Sequence, residues 1–100
     1  SAELKPALET VRRIAAAHQV ARLEVFGSAA TDQLQKVSDI DLLVIFKPTS
    51  TQEHGERYFG FKYSLEDALG RPVDLIELEA VDNPYFLKAI ESKRVLLYAA

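Results

Sequence analysis

The chain has 100 residues, of which 48% are hydrophobic and 27% are charged, and it contains no cysteine. This length suits one small domain over residues 1–100, and the composition excludes disordered and collagen-like classes. Without cysteine, disulfides, iron–sulfur clusters and thiolate zinc sites are excluded, which favours a cytoplasmic location.

The net charge and the length of the apolar runs argue against nucleic acid and membranes as partners. Twelve Lys and Arg against fifteen Asp and Glu give a net charge of −3, whereas a protein that binds duplex nucleic acid usually carries a basic domain or stripe. Nucleic acid is therefore not the expected partner. The longest apolar runs, residues 42–46 and 95–100, are far below the roughly 20 residues that cross a bilayer, so no membrane association is expected.

Helical and β-strand patterns alternate along the first half of the chain. Apolar residues at three- and four-residue steps predict an amphipathic helix over residues 4–18. A short β-prone run at 23–26 ends before a Gly-Ser pair, and residues 31–38 have no period and are expected to form a loop. Residues 39–46 begin with alternating acidic and apolar residues and continue as an unbroken apolar run. This predicts a central strand that is buried on both faces except at one end.

The same alternation continues in the second half. A helix is predicted over residues 52–69, followed by a strand over 73–78, a helix that opens at Asn83-Pro84 and a short edge strand over 95–98. Helices that alternate with strands predict an α/β (α+β) sandwich with one sheet. The unequal spacing of the strands favours a mixed β-sheet, flanked by helices, over a purely parallel one.

Three acids lie in predicted strands that are otherwise apolar. Asp39 and Asp41 are two residues apart, so their carboxylates leave the same face of the strand. Two like charges held together need neutralisation, and hard oxygen ligands suit Mg²⁺, which bridges to phosphates. Asp74 would join the pair if its strand is a neighbour. Gly27 and Ser28 directly follow a strand, where backbone N–H groups and a hydroxyl can hold phosphate oxygens.

These motifs together resemble the polymerase-beta-like nucleotidyltransferase superfamily, specifically its minimal nucleotidyltransferase (MNT) branch. Residues 26–30 (FGSAA) and 38–44 (SDIDLLV) are similar to its signature of Gly-Ser, ten residues and Asp-x-Asp. Residues 70–76 (GRPVDLI) resemble the family segment with the third acid, and residues 95–98 (VLLY) resemble the usual end of the chain. The resemblance covers nearly all of the sequence.

The resemblance implies a single-domain polymerase-beta-like nucleotidyltransferase fold and a nucleotidyl transfer reaction. Asp39, Asp41 and Asp74 would be catalytic residues that hold Mg²⁺, and Gly27 and Ser28 would bind the triphosphate of ATP. A nucleoside monophosphate, AMP by this analogy, would pass to a hydroxyl of a protein partner. Members of the family are commonly paired with a helical HEPN protein as antitoxin and toxin, so a HEPN toxin is the expected partner.

One position departs from the family pattern. Many members have Arg three residues after the serine, whereas this chain has Thr31, which removes a positive charge that could help to hold phosphate. The alternative hypothesis is therefore a binding module that neutralises its partner by contact alone. Transfer to a sugar or drug hydroxyl is less favoured, because the chain has no additional domain to form a small-molecule acceptor pocket.

The long predicted helix has two aromatic faces. Phe59 and Tyr63 are four residues apart, on the side opposite the apolar face. They suggest a surface for a partner or for a second copy of the chain, with packing on a neighbouring loop as the alternative. The apolar face is expected to be core, and its members are Tyr58, Phe61, Leu65, Ala68 and Leu69.

Overall fold

A computed structural model of the chain describes residues 4–26 and 40–100, and in the first helix it describes side chains from residue 7 onward. Over these ranges the chain forms three α-helices, four strands and two short 3₁₀ turns. The elements are α1 (Leu4–Ala17), β1 (Val20–Phe26), β2 (Ile40–Phe46), α2 (Thr51–Leu69), β3 (Val73–Glu77), α3 (Pro84–Ile90) and β4 (Val95–Ala99). Within the same ranges, no helix combines the length and the apolar character needed to cross a bilayer.

The four strands form one mixed sheet in the order β3-β2-β1-β4. Strand β1 is antiparallel to both of its neighbours, while β2 and β3 run parallel. The central position of β2 follows from its sequence, because an unbroken apolar run must be shielded from water on both faces. The prediction of a single α/β domain with a mixed sheet is confirmed.

One face of the sheet packs against α1 and α2 and holds the larger core. Phe61 is fully buried at its centre, with its ring 5.8 Å from that of Phe46 in an edge-to-face arrangement. Alternate residues of β2 and β3 point into this layer, as the period of two in a β-strand requires, whereas irregularities in the pairing of β1 and β4 shift this alternation. The buried members are Val11, Ala15, Val20, Leu23, Val25, Ile40, Leu42, Val44, Phe46, Phe61, Leu65, Val73 and Leu75.

The opposite face, which we call the second face, is covered in part by α3. Phe26, Leu43 and Ile90 are buried there, and the rings of Phe26 and Phe86 meet edge to face at 5.9 Å. Because side chains alternate along a strand, the residues that flank the core positions of β1, β2 and β3 all point to this face. The second face is therefore where polar side chains of the strands can gather.

Local sequence signals fix the ends of α2 and the start of α3. The Ser50 hydroxyl accepts a hydrogen bond from the Glu53 N–H at 3.3 Å, which satisfies one of the free amides of the first turn. Gly70 closes α2 in the left-handed conformation (φ 67°), and its N–H donates to the Glu66 carbonyl at 2.8 Å. The Asn83 side chain accepts from two amides in the first turn of α3.

Two sequence predictions need correction. Ala68, expected in the core face of the second helix, is exposed. The buried stripe of α2 follows steps of four from Phe61 through Leu65 toward Leu69, and these steps rotate it away from position 68. The first strand begins at Val20 rather than at residue 23, because backbone pairing with β2 continues past the polar positions that break the β-prone pattern.

Candidate functional site

Two of the predicted site acids lie side by side at the amino-terminal ends of the parallel strands. In the register of β2 and β3, Asp41 is directly opposite Asp74. Neighbouring strands lie about 4.8 Å apart, and residues in register point to the same face. Leu43 and Ile76, two residues further along each strand, pack beneath α3, so both carboxylates belong to the second face. The fold therefore brings Asp41 and Asp74 together, and their role as metal ligands stays a prediction.

The other positions singled out around the site lie outside the described residues: Gly27, Ser28, Thr31 and Asp39. The structure describes the residues on either side of this segment, Phe26 before it and Ile40 after it. Strand β1 ends at Phe26, which is opposite Asp41 in the register, and the next residue in sequence is Gly27. The chain returns at Ile40, the residue before Asp41. The expected roles of these four residues stay predictions.

The donor chemistry of the acid pair fits Mg²⁺. Within residues 4–26 and 40–100, no group of three or more His, Cys, Asp or Glu side chains is arranged to hold a metal ion. The described donors are thus the carboxylates of Asp41 and Asp74. Mg²⁺ is usually held by one or two carboxylates together with water and substrate phosphates rather than by an all-protein cage. The pair therefore suits a cation that arrives with a nucleotide.

Helix α2 holds the strand that carries Asp74. Strand β3 is at the edge of the sheet, so the outward backbone groups of Val73 and Leu75 have no strand to pair with. Glu66 Oε2 accepts a hydrogen bond from the Val73 N–H at 2.8 Å, and the Tyr58 hydroxyl donates to the Leu75 carbonyl. These two bonds lie on either side of Asp74, so α2 fixes the backbone position of this acid.

The Tyr58 hydroxyl is held in its donating form by its surroundings. Burial raises the pKa of Tyr58, and the negative charges of Glu77 and Asp74 raise this pKa further. A phenol ordinarily titrates near pH 10, so the proton is retained throughout the neutral range. The bond to β3 is therefore insensitive to pH under physiological conditions.

A buried carboxylate on the second face joins two arginines. Glu24 is 3% exposed, with Oε1 2.5 Å from Arg94 Nε and Oε2 2.7 Å from Arg22 Nε. Burial alone would raise the pKa of Glu24, but the hydrogen bonds and charges of Arg94 and Arg22 outweigh it and lower the pKa. The hydrogen bond to Glu24 likewise raises the pKa of Arg94 against the effect of burial. One ionised carboxylate therefore faces two guanidinium groups.

A groove of about 390 Å³ lies at the opposite end of the parallel strands from the acid pair. His54 borders it, with Nε2 2.6 Å from Glu77 Oε1 and its ring edge to face with Phe46 at 5.8 Å. The groove shares no lining residue with the acid pair, so we assign it no part in the chemistry. Its lining consists of residues 44–49, His54, Glu77, Glu79 and Ala80.

Phe59 and Tyr63 form an exposed aromatic pair on the outer side of α2. Phe59 is 50% exposed and Tyr63 is 57% exposed, and their rings stack at 5.8 Å with 26° between the planes. Phe59 also meets the ring of Tyr58 edge to face at 5.0 Å. Both side chains lie outside the two core clusters. Their use as a partner surface stays a prediction.

The side chains that hold the site in place are only partly predictable from the sequence. The apolar pattern predicts that Tyr58 lies in the core, but not that its hydroxyl also donates to β3. A signal for Glu24 existed, since an acid inside the apolar run at 23–26 is the same feature that singled out Asp74. Glu66 gave no signal, because its bond to a backbone amide depends on which strand forms the edge.

Comparisons with known proteins show which proteins this chain is similar to. The family model described as "Nucleotidyltransferase domain" matches residues 7–97. A protein of Methanocaldococcus jannaschii named "Putative protein adenylyltransferase" is 38% identical over 74 residues, which are 74% of this chain and 72% of that protein. A solved structure described as "Structure of putative minimal nucleotidyltransferase" superposes with a TM-score of 0.74 at 29% identity, covering 93% of this chain and 91% of that one.

A further solved structure contains a tri-AMPylated HEPN toxin of Shewanella oneidensis in complex with an MNT antitoxin. The matching chain has a TM-score of 0.67 and 16% identity, with 96% of this chain and 72% of that chain covered. At this identity the likeness concerns the fold.

Proposed function

Because the chain belongs to the nucleotidyltransferase-domain family, we propose that it is a Mg²⁺-dependent enzyme that transfers AMP from ATP to a hydroxyl of a protein partner. The observation that carries this proposal is the register that sets Asp41 opposite Asp74 on one face of the sheet. Two carboxylates on adjacent strands are suitable donors for the Mg²⁺ of a metal–triphosphate complex. The relative named as a protein adenylyltransferase supports the choice of AMP and of a protein acceptor.

Each residue of the site has a role in this proposal. Asp39, Asp41 and Asp74 would hold Mg²⁺, which would neutralise charge on the phosphate oxygens. Gly27 and Ser28 bind the triphosphate through backbone N–H groups and the hydroxyl. The acceptor oxygen forms a bond to the α-phosphorus, the bond from that phosphorus to its bridging oxygen breaks, and pyrophosphate leaves. Asp74, on the edge strand, orients the acceptor hydroxyl and takes its proton.

The proposed acceptor is a HEPN-type helical protein, for which this chain would act as the antitoxin. The likeness to a chain from the complex of an AMPylated HEPN toxin with an MNT antitoxin supports this choice. The aromatic pair Phe59 and Tyr63 offers a docking surface, because exposed aromatic side chains supply large contact areas at protein interfaces. It lies on α2, the helix that also fixes the position of Asp74.

Substitution of both aromatic residues tests the docking surface. Phe59→Lys combined with Tyr63→Lys is expected to leave folding intact, because both side chains lie outside the core clusters, and to abolish co-elution with the toxin in size-exclusion chromatography. A matched double variant at exposed positions of the same helix, Glu56→Gln with Asp67→Asn, changes the net charge by the same two units and controls for it. Retained association of the aromatic variant, or its failure to fold, would contradict the assignment.

A second candidate function is neutralisation of the partner by contact alone. Thr31 favours it, since this position lacks the arginine that many members of the family have. In that case the same fold would bind the toxin while the acids contribute nothing to chemistry. The two functions differ in their dependence on Asp41.

The deciding experiment follows transfer of label from ATP that carries labelled α-phosphate, in the presence of Mg²⁺, into the proteins of the source cell's lysate. The wild-type chain is compared with Asp41→Asn and with the control Asp67→Asn, which changes an exposed acid on α2. Label that appears with the wild type and with Asp67→Asn, but not with Asp41→Asn, supports the enzyme. A toxin that is silenced equally by all three proteins without taking up label supports the contact function instead.

A further inference from the structure

A triphosphate carries several negative charges, whereas this chain has a net charge of −3. Binding the nucleotide therefore requires positive charge at the site itself. We propose that Arg94, at the start of β4, binds the triphosphate of the nucleotide held at the acid pair. This inference rests on the proposed function and names a residue that the resemblance did not supply.

The register of the sheet places Arg94 in line with the acid pair. On one side of β1, Phe26 is opposite Asp41, and on the other side Val25 is opposite Val95. Arg94 is the residue before Val95 and has an extended backbone (φ −95°, ψ 129°), so it lies beside Phe26 at the end of this register. Adjacent strands are about 4.8 Å apart, so the backbone of Arg94 lies about 10 Å from that of Asp41. The paired residues Asp74, Asp41 and Phe26 thus form a row across three strands, and Arg94 lies at the end of this row, directly before β4.

The contact with Glu24 shows which way the Arg94 side chain points. Glu24 and Phe26 are two residues apart on β1 and therefore share a face, and Phe26 packs on the second face. The 2.5 Å contact between Arg94 Nε and Glu24 Oε1 brings the guanidinium to this same face. Both acids of the row and the arginine thus lie on one side of the sheet.

The same contact leaves Arg94 suited to bind an anion. Glu24 is shared between Arg94 and Arg22, and the negative charge of Glu91 also acts on Arg94, so the guanidinium stays fully charged and its position, rather than a surplus of charge, suits it to an anion. The bond to Glu24 uses Nε of Arg94, whereas the two terminal nitrogens of a guanidinium can form a paired contact with phosphate. Gly27, the first residue of the expected phosphate-binding pair, follows Phe26 in sequence.

Arg22 provides a matched control within the same cluster. It shares the Glu24 carboxylate with Arg94, but in the register it is opposite Ile45 and Ala99. That position is four residues from Phe26, which is about 13 Å along a strand. Loss of either arginine breaks one ion pair to Glu24, yet only Arg94 is near the row of acids.

The test measures the dissociation constant of Mg²⁺–ATP, by calorimetry, for the wild type, Arg94→Gln and Arg22→Gln. We expect Arg94→Gln to raise the dissociation constant about tenfold or more, as for loss of a hydrogen bond between charged groups. Arg22→Gln should change the dissociation constant less than twofold. AMP, which lacks the β- and γ-phosphates, should be affected much less by Arg94→Gln. Equal effects of the two variants on ATP binding, or no effect of either, would overturn the inference while leaving the proposed function intact. Absence of ATP binding by the wild type would overturn both.

A measurement on the wild-type chain keeps the test independent of variant folding. The Nε–H signals of Arg94 and Arg22 are followed by NMR as Mg²⁺–ATP is added. We expect the Arg94 signal to shift with saturation at the calorimetric dissociation constant and the Arg22 signal to stay in place. A titration in which ATP binds and neither signal moves, or both move equally, would refute the role of Arg94.

Discussion

The hydrogen bond between Glu66 and the Val73 N–H allows a direct test of how α2 holds the strand that carries Asp74. Glu66→Ala removes the acceptor that lies 2.8 Å from this amide. A hydrogen bond to a charged group contributes about 1.5–3 kcal/mol. Because Glu66 is half-buried, water can replace part of the lost bond, so we expect about 1.5 kcal/mol, near the lower end. A difference of 1.4 kcal/mol is a factor of ten, so protection of the Val73 amide from hydrogen exchange should fall about tenfold.

The assay is native-state amide hydrogen exchange followed residue by residue with NMR. Glu66→Gln keeps a carbonyl oxygen as acceptor and should lose less protection than Glu66→Ala, while the exposed neighbour substitution Asp67→Ala should lose none. The amide of Leu42, in the central strand, reports on global opening. Unchanged protection of Val73 in Glu66→Ala would refute the reasoning. An equal loss at Leu42 would do so as well, because Glu66 would then affect the whole fold rather than the edge strand.

Three further predictions concern stability. Phe61→Ala should lower the free energy of unfolding by about 3–5 kcal/mol, because the ring is fully buried; urea denaturation measures this, and a loss below about 1 kcal/mol would be inconsistent with its place in the core. Gly70→Ala should cost about 1 kcal/mol, since its φ of 67° is unfavourable for a residue with a side chain, and a thermal midpoint equal to that of the wild type would contradict the left-handed cap. The pKa of Glu24 is lower in the folded chain than its unfolded value of 4.5, so its ion pairs stabilise the fold above that pH and this contribution is lost as the pH falls through the folded pKa. Glu24→Gln should therefore be less stable than the wild type at pH 7 and nearly equal to it in acid, and a difference that is the same at both pH values would argue against the ion pairs.

The parts of the fold that could be predicted are those that short-range patterns determine. Residues 42–46 contain no side chain that could face water, which places β2 inside the sheet. Ser50, Gly70 and Asn83 act through bonds to backbone atoms in their own helix ends. The sequence could not predict whether Asp41 and Asp74 are neighbours. Their proximity depends on strand order, which is set by pairing between segments far apart in sequence.

The supporting contacts could not be predicted from the sequence for a related reason. Glu66 and Tyr58 bind the outward groups of β3, and those groups are unpaired only because β3 is the edge strand. Arg94 reaches Glu24 across 70 positions of sequence, which no local period reveals. Once the register is known, these contacts follow from side-chain alternation and from the need of a buried carboxylate for partners.

The layout of α2 has a consequence for divergence among relatives. Tyr58 and Glu66 turn toward the edge strand and satisfy its backbone, while Phe59 and Tyr63 are exposed and belong to neither core cluster. Adjacent positions of one helix thus have different structural roles. If Phe59 and Tyr63 bind the partner as proposed, substitutions at these positions would change which partner is recognised without moving Asp74, so a duplicated gene could acquire a new partner and keep its acid pair. Families of paralogues should vary at the outward positions and retain hydrogen-bonding side chains at the inward ones.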